Sequence, residues 1–170
     1  MDLSKTIRDV PDFPKKGILF KDITTLLKDP SALRECVQQL TQPFINKGIK
    51  KVCGIESRGF IFGTALALEL GAGFVPVRKA GKLPYKTVSQ EYALEYGTDK
   101  IEIHVDAIEK GERVLIVDDL LATGGTAAAC MGLLKKIDAQ IYGFAFLVEL
   151  AFLNGRQKLT EGQVVSLVVY

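Results

Sequence analysis

The chain has 170 residues, of which 48% are hydrophobic and 25% are charged, and its formal net charge is +2 at pH 7. This length fits one domain, and the composition is near the globular average, which argues against a disordered chain or a fibrous repeat. Because there is no dense Lys/Arg run, we do not expect a nucleic-acid partner. No window approaches the roughly 18 apolar residues of a membrane helix, so we expect no membrane association either.

The three cysteines are widely spaced and include no CxxC pair. They are Cys36, Cys53 and Cys130. Such a set favours buried thiols in a reducing compartment over a disulfide framework or a zinc site. The first residues lack the apolar core of a secretory signal. We therefore expect a cytoplasmic protein.

Helices and strands are predicted to alternate along the chain. A helix should begin at Pro30, with Asp29 as its cap, and a short strand should follow over 51–56. The next helix is apolar nearly all round, which predicts that it is buried, and it should end at Gly71. Further strands are predicted at 73–77, at 101–108, from Val114, at 139–150 and at 163–170. This order predicts an α/β fold with a mostly parallel central sheet flanked by helices.

Two adjacent aspartates, Asp118 and Asp119, follow the apolar strand that begins at Val114. In an open parallel sheet, ligands bind at the carboxyl ends of the strands. The loop that comes next consists of Ala122, Thr123, Gly124, Gly125 and Thr126. Its glycines free the backbone, its threonines add hydroxyl donors, and a helix N-terminus follows. The loop is therefore a candidate phosphate site, without the pattern of a Walker or a Rossmann motif.

The aspartates would repel a phosphate at contact distance, so they should face another part of the same ligand. Carboxylates accept hydrogen bonds from vicinal hydroxyls and can lie near a magnesium ion. A phosphate followed by a diol describes a ribose 5-phosphate. The alternative is a capped turn with two solvated acids.

At this point the sequence resembles a known family. The stretch VLIVDDLLATGGT resembles the phosphoribosyl pyrophosphate motif of the type I phosphoribosyltransferases. Four further stretches are similar, in order and spacing, to segments of the adenine-specific members of that family. They are DFPKKGILFKDITTLLKDP, GIESRGFIFG, VPVRKAGKLP and YALEYG. The resemblance implies a single domain over 1–170 with the type I phosphoribosyltransferase fold, a hood contributed by 1–30, and a mobile lid and basic loop over 79–100.

The resemblance also implies an activity and its partners. Adenine and phosphoribosyl pyrophosphate would give AMP and pyrophosphate in a homodimer, with magnesium held mainly by substrate and water. Asp118 and Asp119 would bind the ribose hydroxyls, and the loop 122–126 would bind the 5′-phosphate. Alternatives are a phosphoribosyltransferase for hypoxanthine or guanine, or a regulator that binds phosphoribosyl pyrophosphate without reacting it.

The family's pyrophosphate site is carried over onto two stretches. By resemblance, the pyrophosphate ligands are Ser57, Arg58, Arg78, Lys79, Lys82 and Tyr96. The family often has a non-proline cis peptide in the first stretch, which we expect at Glu56–Ser57, although many members have aspartate at position 56. Without the resemblance, the basic residues would be interpreted as a solvated loop.

The base and the lid are the last parts that the resemblance assigns. Phe20 would stack on the purine, while backbone groups of Leu19 and Lys21 would bind its edge. Glu95 would be catalytic and would take part in proton transfer at the purine. Tyr96 would lie beside it on the pyrophosphate side. The alternatives are core packing for Phe20 and an ordinary surface position for Glu95.

Overall fold

The structure, a computed structural model, describes residues 1–94 and 97–170. Its helices and strands in chain order are β1 (Arg8–Pro11), β2 (Leu19–Asp22), α1 (Thr24–Leu27), α2 (Pro30–Thr41), β3 (Lys51–Ile55), α3 (Gly59–Leu70), β4 (Gly73–Lys79), β5 (Thr87–Ala93), β6 (Thr98–His104), β7 (Arg113–Leu121), α4 (Gly125–Lys135), β8 (Gln140–Glu149) and β9 (Gln163–Val169).

A seven-stranded sheet with the order β5-β6-β4-β3-β7-β8-β9 forms the centre of the molecule. β4, β3, β7, β8 and β9 pair in parallel, and β5 and β6 extend one edge with antiparallel pairing. The parallel strands are covered on both faces, which explains uninterrupted apolar runs such as Val114 to Val117, all fully buried. The predicted mostly parallel sheet is confirmed.

Helices cover both faces of this sheet and bury a separate apolar core on each. On one face, α4 contributes Cys130 and Leu134. On the other, α2 contributes Leu40 and α3 contributes Phe62. The three cysteines are free thiols and are buried, and burial raises the pKa of Cys36 and of Cys53 to about 12. No helix among the described residues is long and apolar enough to span a membrane.

The start of α2 follows the prediction from the sequence. The Asp29 carboxylate accepts hydrogen bonds from the backbone amides of Ser31, at 2.8 Å, and Ala32, at 3.2 Å. Pro30 occupies the first turn, where its missing amide hydrogen costs nothing. The local sequence is therefore sufficient to fix where this helix begins.

The end of α3 is also as predicted, because Gly71 adopts the left-handed conformation with φ of 64°. The prediction that α3 is buried all round is wrong. Ile61 is 42% exposed and Leu68 is 79% exposed. The core covers the face with Phe62 and Leu66, and an apolar stripe remains on the outer face of the helix.

Two further regions complete the fold. β1 and β2 form a separate two-stranded antiparallel sheet in which Val10 lies opposite Phe20. The polar stretch 79–100 is more regular than its composition suggests, because half of its described residues lie in β5 and β6, where Ser89 pairs with Glu102. Backbone pairing with the edge of the sheet provides this order, and local polarity does not reveal such pairing.

Candidate active site

The carboxyl ends of β3 and β7 lie side by side at one edge of the sheet, because these strands pair in parallel with Gly54 opposite Val117. A cavity of about 450 Å³ opens there. It is lined by Ile55, Glu56, Ser57, Arg58, Lys79, Tyr92, Leu94, Asp99, Asp118, Asp119 and Thr126. Open α/β sheets bind their ligands at this kind of position.

The two aspartates are part of β7, which continues to Leu121. Asp119 is only 6% exposed, and Arg58 Nε donates a hydrogen bond of 2.5 Å to its Oδ2. The Asp119 amide donates to Asp118 Oδ1 at 2.9 Å. Burial, reinforced by the charge of Asp119, raises the pKa of Asp118 well above its ordinary value. This pair of acids favours hydroxyl donors or a cation and repels a phosphate.

The predicted phosphate loop encloses a second, smaller cavity of about 80 Å³, lined by Asp118 and residues 120–127. Gly124 has a φ of +77°, a left-handed conformation in which a side chain would be strained. α4 begins directly afterwards, and its first turn carries no acidic residue. The first amides of a helix have no partner within the helix, so they are available to an anion in this cavity.

The segment after β8 that contains Gly155 and Arg156 packs directly against the predicted phosphate loop, a role that sequence reasoning missed. A Cβ at Gly124 would lie 2.9 Å from the carbonyl carbon of Gly155. Arg156 holds this segment through two bonds to Glu149, with Nε to Oε1 at 3.0 Å and Nη2 to Oε2 at 2.5 Å, and its Nη1 donates to the Val164 carbonyl at 2.8 Å. Its one signal in the sequence is that the stretches FLVEL (146–150) and GRQKL (155–159) also resemble segments of the phosphoribosyltransferase family.

The peptide bond between Glu56 and Ser57 is cis, as the resemblance implied. The Glu56 carboxylate accepts hydrogen bonds from the Lys79 amide at 3.0 Å and from Arg78 at 3.2 and 3.4 Å. Burial would raise the pKa of Glu56, but these hydrogen bonds outweigh it and lower the pKa. An ionised Glu56 therefore connects the loop after β3 with the end of β4.

The other wall of the cavity contains two residues that sequence reasoning missed. Asp99, on β6, lies 3.2 Å from Lys79 Nζ, and the Tyr92 hydroxyl donates to it at 3.3 Å. Hydrogen bonding of the Lys100 amide, followed by the bond from Lys79, lowers the pKa of Asp99. Nothing in the local sequence distinguishes Asp99 from other surface acids.

The two-stranded sheet contains a separate apolar cavity of about 280 Å³, lined by Val10, Phe13, Phe20 and Asp22. The rings of Phe13 and Phe20 meet edge to face, with their centroids 5.1 Å apart. Phe20 is half-buried and lies in neither apolar core. Its ring therefore offers a surface to a flat apolar ligand.

The structure brings together most of the residues that the sequence singled out. Ser57, Arg58, Lys79 and both aspartates line one cavity, with the phosphate loop beside it. Arg78 and Lys82 lie next to one another, since Arg78 Nη1 donates to the Lys82 carbonyl at 3.4 Å. Leu19, Phe20 and Lys21 lie together on β2. Glu95 and Tyr96 lie outside the described residues.

A cavity of about 310 Å³ also occurs at the opposite edge of the sheet, lined by residues 44–50 and 69–71. The amino ends of β3 and β4 lie there, so it is remote from the strand ends that carry the acids. None of the predicted site residues that the structure describes lines it.

Known proteins resemble this chain along its entire length. Adenine phosphoribosyltransferase from Thermosynechococcus vestitus is 61% identical over 170 residues, which is all of both chains. The crystal structure of adenine phosphoribosyltransferase from Rhodothermus marinus superposes with a TM-score of 0.94 at 54% identity, covering 99% of this chain and 96% of that one.

A more distant structure is that of adenine phosphoribosyltransferase from Saccharomyces cerevisiae complexed with adenine and an imino-altritol bisphosphate. It has a TM-score of 0.91 and 43% identity, and the match covers 97% of this chain and 96% of that one. The family described as phosphoribosyl transferase domain matches residues 22–163. On these similarities the chain belongs to the phosphoribosyltransferase family, within its adenine phosphoribosyltransferase branch.

Proposed function

We propose that the protein is an enzyme that transfers the 5-phosphoribosyl group from phosphoribosyl pyrophosphate to adenine, giving AMP and pyrophosphate. The observation that carries this proposal is the position of the acidic pair. Asp118 lines both the cavity of the loop 122–126 and the cavity that contains Arg58, Lys79 and Asp119, and the ribose of phosphoribosyl pyrophosphate likewise adjoins both the phosphate and the pyrophosphate. The choice of adenine rests on similar relatives that are named as adenine phosphoribosyltransferases, so hypoxanthine, guanine and a purely regulatory role are not favoured.

In this proposal the ribose lies over the acidic pair. Asp118 and Asp119 accept hydrogen bonds from the two ribose hydroxyls, and residues 122–126 enclose the 5′-phosphate with backbone amides and threonine hydroxyls. Close packing of Gly155 against Gly124 fixes the position of this loop. Arg58 must then share Asp119 with the sugar, since the two side chains are paired at 2.5 Å in the free protein.

Cationic residues take the leaving group. Ser57, Arg58 and Lys79 lie within reach of the same cavity, and Arg78 and Lys82 extend the positive charge along its rim, with Tyr96 as a further pyrophosphate ligand. Displacement at the anomeric carbon builds positive charge on the ribose and negative charge on the pyrophosphate, as in glycoside hydrolysis. Pre-arranged cations and carboxylates stabilise both charges.

Magnesium fits the donor set of this cavity. Among the described residues, the lining contains four carboxylates, Glu56, Asp99, Asp118 and Asp119, and two cations, so a polyanionic ligand needs further positive charge. In the part of the chain that the structure describes, no group of three or more His, Cys, Asp or Glu side chains could hold a metal ion, and we propose that substrate oxygens and water hold most of the coordination sphere. When bound, Mg²⁺ would neutralise charge on the pyrophosphate.

The base would lie against the hood formed by residues 1–30. Phe20 would stack on the purine, and the backbone of Leu19 and Lys21 would bind its edge. The apolar cavity beside Phe20, with one polar wall at Asp22, supports this placement. Glu95 would manage the proton of the purine as the new bond forms, from a lid over 79–100 that excludes water.

The proposal extends to assembly and compartment. An exposed stripe of α3 that includes Ile61, Thr64 and Leu68 supports a homodimer, because a contiguous apolar surface on an outer helix favours contact with another protein. The single domain would span 1–170. The free, buried cysteines support a cytoplasmic location, where thiols stay reduced.

One assay tests the activity. The protein, magnesium and phosphoribosyl pyrophosphate are incubated with adenine, hypoxanthine, guanine or uracil, and the nucleotide formed is measured. We expect AMP from adenine and little product from the other bases. Tight binding of phosphoribosyl pyrophosphate without any product would instead indicate a regulator, and equal turnover of guanine would contradict the adenine assignment.

A further inference from the structure

A contact between a lysine and an aromatic ring joins the two-stranded sheet to the body of the protein. Lys21 Nζ lies 3.6 Å from the centroid of the Tyr170 ring and 2.7 Å from Asp9 Oδ1, and the Lys21 side chain is only 10% exposed. The attraction between a cation and an aromatic face grows when water is excluded. The ammonium group is thus held between a carboxylate of β1 and a ring from elsewhere in the fold.

The position of Lys21 within β2 links this contact to the base cavity. Phe20 and Asp22 both line that cavity, and successive side chains of a strand point to opposite faces. Lys21, between them, therefore points away from the cavity and towards Tyr170. A shift of Lys21 would move the Phe20 ring on the other face of the same strand.

Tyr170 is fixed in the body of the protein by its backbone. Its amide donates to the Glu149 carbonyl at 2.9 Å, and its carbonyl accepts from the Ala151 amide at 2.9 Å. The residue thus continues the pairing of β9 with the end of β8. β1 and β2 form a sheet of their own. The contact between Lys21 and the Tyr170 ring therefore attaches this small sheet to the large one.

We propose that Tyr170 is a positioning residue for base recognition. It acts through Lys21 to fix the position of β2, and thereby the position of the Phe20 ring that would stack on the purine. This inference rests on the proposed function, in which the hood binds adenine. Tyr170 touches none of the cavities at the strand ends, so its effect should fall on adenine and not on phosphoribosyl pyrophosphate.

The test compares steady-state constants of Tyr170→Leu, Tyr170→Phe and Lys21→Met with those of the unmodified protein. We expect Tyr170→Leu to raise the KM for adenine by about threefold to thirtyfold, the range that a partly desolvated cation–aromatic contact supports. The KM for phosphoribosyl pyrophosphate and kcat should stay within about twofold of the original. Tyr170→Phe should restore the KM for adenine, because it keeps the ring.

Lys21→Met should raise the KM for adenine as much as Tyr170→Leu does, and the double variant should add little to either. Tyr142→Leu is the matched control, since Tyr142 makes a similar contact with Arg113, 5.4 Å from ring centroid to Cζ, at the other edge of the sheet. Its kinetic constants should not change.

Three results would overturn the inference: an equal rise in both KM values, a Phe variant as impaired as the Leu variant, or additive effects of Lys21→Met and Tyr170→Leu. Should Tyr170→Leu fail to fold, Lys21→Met and Tyr170→Phe decide the question by the same two KM values. Failure of the proposed function is distinguishable, because the unmodified protein would then form no AMP.

Discussion

Three of the cationic side chains that we propose as pyrophosphate ligands are each paired with a carboxylate in the structure. The pairs are Arg58 with Asp119 at 2.5 Å, Arg78 with Glu56 at 3.2 Å, and Lys79 with Asp99 at 3.2 Å. An incoming pyrophosphate group must compete with these carboxylates for the same cations. We therefore expect the affinity for pyrophosphate to depend on the acids as well as on the bases.

Asp99 offers the clearest test of this competition, because we assign it no contact with substrate. Asp99→Asn should tighten pyrophosphate binding by about twofold to fivefold, since a partly exposed ion pair contributes at most about 1 kcal/mol. Titration calorimetry with magnesium pyrophosphate measures the change. Asp138→Asn, which removes the partner of Lys110 at 3.2 Å on the surface, is the control. Weaker binding by Asp99→Asn would mean that Asp99 orients Lys79 for the ligand.

Glu95 is the one residue to which the resemblance assigns proton transfer. Glu95→Gln keeps the size of the side chain but removes its basicity, so we expect kcat to fall by about 10²-fold to 10⁴-fold. Binding of phosphoribosyl pyrophosphate should remain nearly intact in a direct binding measurement. Glu91→Gln, the same change at an exposed position of β5, should leave kcat unchanged. An unchanged rate in Glu95→Gln would remove Glu95 from the mechanism.

Among the elements, those specified by local sequence were predictable and those specified by distant contacts were not. The start of α2 at Asp29 and the end of α3 at Gly71 follow from capping rules that involve only neighbouring residues. The tight turn between β7 and α4 likewise follows from the glycines in the loop 122–126, where Gly124 has a φ of +77°. By contrast, the ion pair of Arg156 with Glu149 and the role of Asp99 depend on which strands become neighbours, which a single sequence does not specify.

The segment under the phosphate loop is the element whose role is most open to test. A Cβ at Gly155 would lie against the Ala122 carbonyl and 2.8 Å from the Gly124 nitrogen, so Gly155→Ala should push the loop towards its ligand. We expect the KM for phosphoribosyl pyrophosphate to rise about tenfold, given overpacking costs of about 1–3 kcal/mol.

Gly132→Ala provides the comparison for this change. Gly132 lies in α4, and its added Cβ would approach no atom closer than 3.5 Å, so the KM for phosphoribosyl pyrophosphate should not change. The free energy of unfolding should rise by about 1 kcal/mol, because alanine favours the helix over glycine. Steady-state kinetics and thermal unfolding of both variants separate the two effects. A normal KM in Gly155→Ala would show that the loop does not depend on close contact with this segment.

At the scale of the whole molecule, the fold divides the reaction among separate regions. The acidic pair and the loop 122–126 lie at the parallel centre of the sheet, whereas the antiparallel edge of β5 and β6 carries Asp99 and the small sheet carries Phe20. Atoms that must be placed accurately lie on the best-packed strands. Parts that must admit and release ligands lie at the periphery, where fewer contacts have to open.

The exposed face of α3 is the surface through which we expect two subunits to associate. Leu68, which is 79% exposed on the same face as Ile61 and Thr64, would become buried between the subunits of the proposed homodimer. Leu68→Glu should therefore weaken the dimer by about tenfold or more, because a buried and unpaired carboxylate is strongly disfavoured. Sedimentation velocity over a range of concentrations measures this. Gln38→Glu adds the same charge at an exposed position of α2 and should leave association unchanged. If the Leu68→Glu protein sediments as the unmodified chain does, the subunit contact lies on another face.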